Sequence, residues 1–375
     1  TSEEAEKMAK TDIISYYKNM AINIVTGIVA FIIYGNSNDI LAIILGILWI
    51  LTPAIMYCIS KEKTEKEAVE LLTQKEQDYV LEIARKTWGF FEKYLRQEDN
   101  FLIPDNYQED RKNKVVRRTS STNIGLSMMA VISANDLGFI NYDKTIELLK
   151  NILNTVNELQ KWNGHLYNWY NTETKEPLFP RYVSTVDSGN FVGYLYVIKN
   201  WLESQNKCDK SQIKHQTKCD NNQNNINKET ELLKNAENIE ISGLLEIVNK
   251  LIEKTDFLHL YKKEQRIFSI GFNVEENKLT NSYYDLLASE ARQASLIAIA
   301  KKDVPAKHWN SLSRTLTTLG KYKGLVSWSG TSFEYLMPNI NIPKYKGSLL
   351  DESCKFMIMS QMEYAKKLQI PWGIS

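Results

Sequence analysis

Cysteine is scarce in this 375-residue chain: Cys58, Cys208, Cys219 and Cys354 are spread widely and lack the spacing of a disulfide framework. That excludes a disulfide-stapled secreted scaffold and favours a reducing compartment. Net charge is nearly absent as well, with 46 Lys and Arg against 45 Asp and Glu. Such a balance leaves no basic surplus for a nucleic acid, and no nucleic-acid partner is expected. No glycine fingerprint marks a nucleotide phosphate site, and no region is dominated by strand pattern. No cofactor is expected. Cys208, His215 and Cys219 are the nearest approach to a metal set, but their spacing fits no common zinc motif and a fourth ligand is missing. No metal is assigned.

What is present begins with two apolar runs. Residues 40–59, "ILAIILGILWILTPAIMYCI", carry no charge and are long enough to cross a bilayer as a helix. Ahead of them "MAINIVTGIVAFIIY" (20–34) is shorter and is weakened by Asn23, while Tyr16, Tyr17 and Lys18 extend it as interfacial anchors. A hairpin over 1–62 follows, with spans at 16–34 and 40–59 joined by a "GNSND" turn. A buried hairpin in a soluble protein is the competing reading; a signal peptide is disfavoured because a long charged lead precedes two apolar segments. Lys7, Lys10 and Lys18 precede the hairpin and Lys61, Lys63 and Lys66 follow it, whereas the turn has no Lys or Arg. Positive residues stay inside, which places both ends and the large domain in the cytoplasm. The expectation is a multi-pass protein of the bacterial inner membrane with the lipid bilayer as a partner. The chain starts at Thr1 rather than a methionine, so a processed chain or a fragment is expected.

From residue 63 to 375 the pattern is helical and alternates in character. "KEAVELLTQKEQDYVLEIARKTWGFFEKYL" (66–95) is amphipathic; "NIGLSMMAVISANDLGF" (123–139) is apolar around most of its circumference. "KTIELLKNILNTVNELQKW" (144–162) is amphipathic again, "GNFVGYLYVIKNWL" (189–202) mostly apolar, and "ETELLKNAENIEISGLLEIVNKLIEKT" (229–255) amphipathic. "LLASEARQASLIAIA" (286–300) returns to apolar, with short helices expected near 305–320 and 330–336 and an amphipathic one at 352–369. Enclosed helices alternating with exposed ones predict a double ring, an α/α toroid, with function carried on the long loops between helices. The segment 204–228, almost without apolar residues, is expected to be a disordered insert.

Four loops concentrate aromatic and polar residues: 105–123, 163–190, 281–290 and 327–338. Flat rings beside carboxylates, amides and arginines suit a sugar, because rings stack on its C–H faces while polar groups bond its hydroxyls. Tyr167, Trp169, Tyr170, Tyr182, Tyr283, Tyr284, Trp328 and Tyr335 supply faces; Arg118, Asn168, Arg181, Asp187 and Asn190 supply polar contacts. Structural alternatives stay open. Asp187, Ser188 and Ser329 could be N-caps, Arg118 and Arg181 could pair with structural acids, and His165 reads as a structural loop histidine. Glu290 differs, because it falls early in an otherwise enclosed helix where an unpaired carboxylate is costly. Either it has a fixed arginine partner, a role Arg292 is poorly placed to fill from two positions away, or it lines the central cavity.

The motifs "EDNFLIPDNYQED", "RRTSSTNIGLSMMA", "NGHLYNWYNTETKEPLFPRYVSTVDSGN", "FSIGFNV", "YYDLLASEAR", "SWSGTSFEYLMP", "SLLDE" and "PWGIS" occur in that order along the chain. Together they strongly resemble the central region of bacterial cyclic β-1,2-glucan synthases, and "LWILTPAIMYCIS" looks like the last membrane segment of that family's glycosyltransferase part. The resemblance covers nearly the whole chain except 204–228. It implies an all-α fold, an N-terminal transmembrane helical hairpin followed by an incomplete (α/α)6 toroid.

In that family an N-terminal part elongates the glucan from UDP-glucose, the (α/α)6 domain closes the chain into a ring by retaining transglycosylation, and a phosphorylase-like part adjusts chain length. The implied partners are β-1,2-glucan and the remaining glycosyltransferase and phosphorylase-like parts. The family's two carboxylates fall on Glu290, as nucleophile, and on the acid/base glutamate that follows "PWGIS", beyond Ser375. One acid alone implies a chain inactive by itself. Within this picture Asp285 caps the helix or holds a sugar hydroxyl, and Glu334 is the other acid of the groove. Two other classes remain, a membrane-anchored glucan-binding module without catalysis and a helical scaffold for another protein.

Overall fold

The computed structural model describes residues 12–34, 40–60, 72–216 and 226–374, with side chains described except at 42, 206–216 and 226–238. Contacts divide the chain into two units, Thr1–Glu76 and Gln77–Ser375.

In the first unit α1 (Ile13–Asn19) starts behind Asp12, whose carboxylate accepts from the Ser15 N–H at 2.9 Å. It meets α2 (Ala21–Tyr34) at a 69° bend, so the span expected as one helix over 16–34 is two. α3 (Ile40–Ser60) matches the second expected span. Its stretch Ile43–Ser60 has a mean hydropathy of 2.2 and is only 11% buried. Among the described residues it is the one helix long and apolar enough to cross a membrane, or one of two if the bent pair counts as a span. α2 packs on α3 at small residues: a Cβ on Gly27 would lie 2.6 Å from Ile50 and 2.8 Å from the Gly46 carbonyl oxygen. Small residues that let two backbones close up are how helices associate where no hydrophobic effect drives them together. The Thr26 and Thr52 hydroxyls donate to carbonyls four residues back, which satisfies them within their own helices. The expected turn at 35–39 and Lys7, Lys10, Lys61, Lys63 and Lys66 lie outside the described residues.

The larger part is helical, from α4 (Gln74–Tyr94) through α5 (Ser121–Asp136), α6 (Tyr142–Glu158), α7 (Thr185–Gln216) and α8 (Ile226–Lys254). It continues with α9 (Arg292–Ala300), α10 (Lys307–Ser311), α11 (Ser332–Leu336) and α12 (Leu349–Leu368). α7 packs between α5 and α9, while α6 and α8 lie against α5 and α7 respectively and against each other. The alternation in sequence is thus a division of labour in space. α5 buries Ile124, Met128 and Val131 completely. α6 buries Ile146, Leu149, Ile152, Leu153 and Val156, spaced three and four apart, and leaves Lys144, Glu147 and Lys150 in ion pairs at the surface.

Three expectations change. α9 begins at Arg292, not 286, and residues 286–291 form turns with Ser289 in the left-handed region at φ 51°. Leu286 and Leu287 are drawn instead into a second core cluster with Leu312, Leu325, Tyr335 and Met357, and that packing outweighs their helix propensity. Residues 305–320 form only α10 before an antiparallel ribbon pairs Leu316–Leu319 with Tyr322–Leu325. The long loops are also stiffened by ribbons of two to three residues, too short for strand pattern to show. Arg118–Thr119 pairs with Tyr170–Asn171, and Tyr182–Ser184 with Gly271–Asn273. Within the polar segment 204–228, residues 204–216 continue α7 and 226–228 open α8, consistent with the fair helix propensity of Lys and Gln; residues 217–225 lie outside the described residues.

α7 and α9 approach at a point where only a glycine fits. A Cβ on Gly189 would fall 2.3 Å from Ala294 Cβ and 2.4 Å from its Cα. Gly189→Val is expected to cost about 1–3 kcal/mol by overpacking. The check is a lowered urea midpoint at unchanged slope.

Candidate functional site

The site is built where helix starts meet. Ser120 caps α5, its hydroxyl accepting from the Asn123 N–H at 3.1 Å, which sets Thr122 and Asn123 on the first turn. α7 starts at Thr185, so Asp187 also lies in a first turn and Asn190 one turn on. Thr122 donates to Asp187 Oδ1 at 2.6 Å. The Asn190 amide nitrogen donates both to Thr122 Oγ1 at 3.1 Å and to Glu290 Oε1 at 2.9 Å. With both acids ionised the bonds run one way: the amide gives its two hydrogens away, and the threonine accepts one and donates its own. The Ser289 hydroxyl, beside Glu290 in sequence, bonds the other carboxylate oxygen.

Glu290 is only 5% exposed, and burial raises its pKa, with the nearby Asp187 charge adding to the effect and the Ser289 and Asn190 bonds opposing it. Asp187 is half-buried, and crowding by protein raises its pKa too, against the hydrogen bonds from Ser184 and Thr122. Two neighbouring acids are therefore both biased toward the protonated form. Asn190 Oδ1 is buried without a hydrogen-bond partner, an acceptor left unused beside Glu290.

Two walls rise from this floor. On one, Asn168, with its amide oriented to satisfy both neighbours, donates to Asp187 Oδ2 at 3.2 Å and accepts from Trp169 Nε1 at 3.1 Å. The Arg118 guanidinium lies 4.0 Å from the Trp169 ring centre and donates through two nitrogens to Asp105, at 3.1 and 3.2 Å. Asn123 holds the other Asp105 oxygen at 3.2 Å. On the second wall Tyr284 and Trp328 are stacked, their centroids 5.5 Å apart and their planes 25° from parallel. Trp328 is 54% exposed, so most of a flat apolar surface faces solvent. Burial and the charges of Glu290 and Asp187 push the Tyr284 phenol up, a further sign that this wall stands against the acids.

Of the residues singled out in sequence, Arg118, Asn168, Trp169, Asp187, Asn190, Tyr284 and Glu290 are thus brought together, with Trp328 stacked on Tyr284. Others have structural partners of their own. Tyr170 and Tyr335 are core residues, 0% and 3% exposed, whose hydroxyls donate to the carbonyls of Gln160 and Leu325. A tyrosine suits a core as well as a sugar platform once a carbonyl takes its hydroxyl. Arg181 is paired with Glu275 at 2.7 Å, Tyr182 bonds Thr280, and Tyr283 bonds Asn281. Asp285 accepts from the Ser313 N–H at 3.1 Å and does not cap α9.

Glu334 faces no groove. One oxygen accepts from the Ser327 hydroxyl and from the N–H and hydroxyl of both Ser329 and Thr331; the other accepts from the Ser289 N–H at 3.4 Å. Burial would raise its pKa, but these bonds outweigh burial and lower it. The cap of α11 is Thr331 rather than Ser329, and Thr331 with Glu334 forms a capping box that "TSFE" could have revealed. Ser188 lies inside α7 and donates to the Ser184 carbonyl. His165 is buried between Ser188 Oγ and the Asp256 carbonyl, and burial lowers its pKa to about 4, in keeping with a structural role. Sequence reasoning missed Thr122, Asp105 and Asn123, since Thr, Asp and Asn near a helix start read as turn or cap residues. The Cys208, His215 and Cys219 set lies outside the described side chains, and no group of three potential metal ligands occurs among the described residues.

The tail is tied to α11 and α12. Ile374 is held on both sides by Gln361, its N–H at 2.9 Å and its carbonyl at 3.0 Å, and its carbonyl also takes the Ser332 N–H at 2.7 Å.

Comparison with known proteins agrees with this architecture. No family model matches the chain. It is 30% identical, over 88% of its length, to the cyclic beta-(1,2)-glucan synthase NdvB of Rhizobium meliloti (strain 1021). The chain is a relative of the cyclic β-1,2-glucan synthases. It spans 15% of that synthase's length. The fold is an α/α toroid of the glucoamylase-like kind. An endo-β-1,2-glucanase from Chitinophaga pinensis superposes with a TM-score of 0.61 at 12% identity, covering 81% of this chain and 70% of the other. A putative glucoamylase from Bacteroides caccae gives 0.60 at 12% identity, covering 77% and 68%. A β-1,2-glucanase from Parabacteroides distasonis gives 0.57 at 11% identity, covering 81% and 43%.

The raised pKa of Glu290 has a signed consequence for stability. A carboxyl whose folded pKa lies above its unfolded value, near 4.5, contributes stability below that value and loses it as pH rises through the folded pKa. At neutral pH the ionised form therefore weighs against the native state. Glu290→Gln, neutral at every pH, should raise the thermal midpoint at pH 7, and the gap should close as pH falls toward 4.5. Melting curves of both proteins between those limits test the sign.

Proposed function

We propose that the helical domain closes linear β-1,2-glucan into rings by anomer-retaining transglycosylation, with Glu290 as nucleophile. One observation carries the reading: in a relative of the cyclic glucan synthases, the buried Glu290 is held by Asn190 at the foot of an aromatic wall and an amide wall. Trp328 offers a face for a glucose ring, while Asn168, Asp187 and Arg118 offer groups for its hydroxyls.

The chemistry balances in two steps. Glu290 attacks the anomeric carbon as the glycosidic C–O bond breaks, and a second carboxyl group gives its proton to the leaving oxygen. A covalent glycosyl–enzyme results. The 2-hydroxyl at the far end of the same glucan then attacks that carbon, returns a proton to the second carboxylate and frees Glu290. Two inversions give net retention, and the two carboxyl groups must stand roughly 5–5.5 Å apart. The family pattern puts the second acid directly after "PWGIS". The hold of Gln361 and Ser332 on Ile374, next to the turn carrying Glu334 and Trp328, supports a course toward the site. Burial raises the Glu290 pKa on balance, and the bonds from Ser289 and Asn190 limit that rise.

In a synthase that carries this segment, Glu290→Ala should lose ring closure by a factor of about 10⁴ or more, as expected when a carboxylate central to the mechanism is removed. Added azide, entering from the face the carboxylate vacates, should give an α-glycosyl azide. A β-azide would transfer Glu290 to the acid/base role, and undiminished ring closure would end the assignment.

The first unit, in the same proposal, anchors the chain as a hairpin in the bacterial inner membrane with the helical domain in the cytoplasm. Its exposed apolar surface supports this: Ile22, Ile32, Ile40 and Ile59 are each more than 70% exposed. The chain should sediment with bacterial membranes and resist carbonate extraction, and removing residues 1–62 should release it. Recovery of the intact chain in the detergent-free soluble fraction would count against the anchor.

A further inference from the structure

Arg292 is 2% exposed although it carries a guanidinium, and no carboxylate meets it among the described residues. It donates instead to the Glu334 carbonyl at 2.8 Å, the Tyr335 carbonyl at 2.6 Å and Asn339 Oδ1 at 3.3 Å. Those carbonyls belong to α11, so the cation sits where a helix presents its negative end. Burial is costly enough to lower its pKa to about 10. The segment it grips answers in kind, because the Glu334 side chain accepts from the backbone N–H of Ser289. Arg292 and Glu334 do not pair with each other. Each side chain binds the other segment's backbone, and Glu290 lies between the two points of attachment.

We propose that Arg292 and Glu334 form a reciprocal clasp that positions Glu290 against the Tyr284–Trp328 wall. The inference rests on the catalytic reading of Glu290 given above. Residues 286–291 are turns with a left-handed Ser289, so no helical hydrogen bonds hold the carboxylate in place. Glu334 also takes five bonds from Ser327, Ser329 and Thr331, which flank Trp328, and so joins the stacking wall to the turn bearing Glu290. Both are positioning residues; neither is placed to touch sugar.

Two substitutions separate this role from general stability. Arg292→Lys keeps the charge but loses the planar fork. Glu334→Gln keeps an oxygen for Ser329 and Thr331 while turning an N–H₂ toward the Ser289 N–H, so it spares the helix cap and opposes only the clasp.

In the intact synthase, each variant should bind β-1,2-glucan with the wild-type stoichiometry by calorimetry. Turnover per binding site should fall about 100-fold, the scale of a misplacement near 1 Å. Hydrogen exchange should speed up in peptides covering 284–291 but not in those covering α5. Loss of glucan sites in proportion to rate would assign the pair a merely structural role and overturn the proposal, as would unchanged exchange or unchanged turnover. Should either variant fail to fold, Asn339→Ala, which removes the 3.3 Å partner of Arg292 together with a donor to Cys354 Sγ, must show the same pattern at smaller amplitude. A Glu290→Gln synthase that still closes rings would instead refute the catalytic reading, a separate result from any of these.

Discussion

The site depends on how closely α7 and α9 can approach. Gly189 lies against Ala294, and that contact lets Asn190, the next residue, reach Glu290 across the gap at 2.9 Å. A larger side chain at 189 would separate the elements that carry the two groups. The bond then propagates outward: Asn190 to Thr122 on α5, Thr122 to Asp187 on α7, and Asp187 through Asn168 to Trp169 and Arg118. One steric allowance between helices thus organises polar groups drawn from several stretches of chain.

The acids illustrate how environment divides like groups. Glu290, Asp187 and Glu334 all meet burial, which favours the protonated state. Glu334 collects hydrogen-bond donors from Ser327, Ser329 and Thr331 and remains anionic; Glu290 and Asp187 have fewer donors, and the Asp187 charge acts on Glu290 as well, so their affinity for protons rises. The local chain geometry that supplies N–H groups decides the outcome. A capped helix start makes an acid structural, and a turn without such donors leaves one available for chemistry.

Much of the framework is legible in the sequence. α5, α6, α7 and α8 start within four residues of where their apolar spacing placed them, because enclosed and exposed helices differ in composition as well as periodicity. Glu290 stood out since a carboxylate in an apolar run needs a reason. The α9 start was misjudged because Leu286 and Leu287 fit a helical stripe equally well when they serve a separate cluster. Tyr170, Tyr335 and Glu334 read as groove residues from their type and loop position, and neither says whether a hydroxyl or carboxylate already has partners. Short ribbons such as Arg118–Thr119 on Tyr170–Asn171 join distant residues, and a two-residue strand leaves no periodic trace.

α7 also sets its polar end apart from the groups around Glu290. Asn190 lies near its start and the polar stretch begins at 204, so fourteen residues of helix separate them, about 21 Å at the rise of an α-helix. Additions to the chain beyond 204 therefore enter about four helical turns along α7 from Asn190. A longer or shorter chain there would need no readjustment of the groups around the carboxylate, so surface can be added without disturbing them.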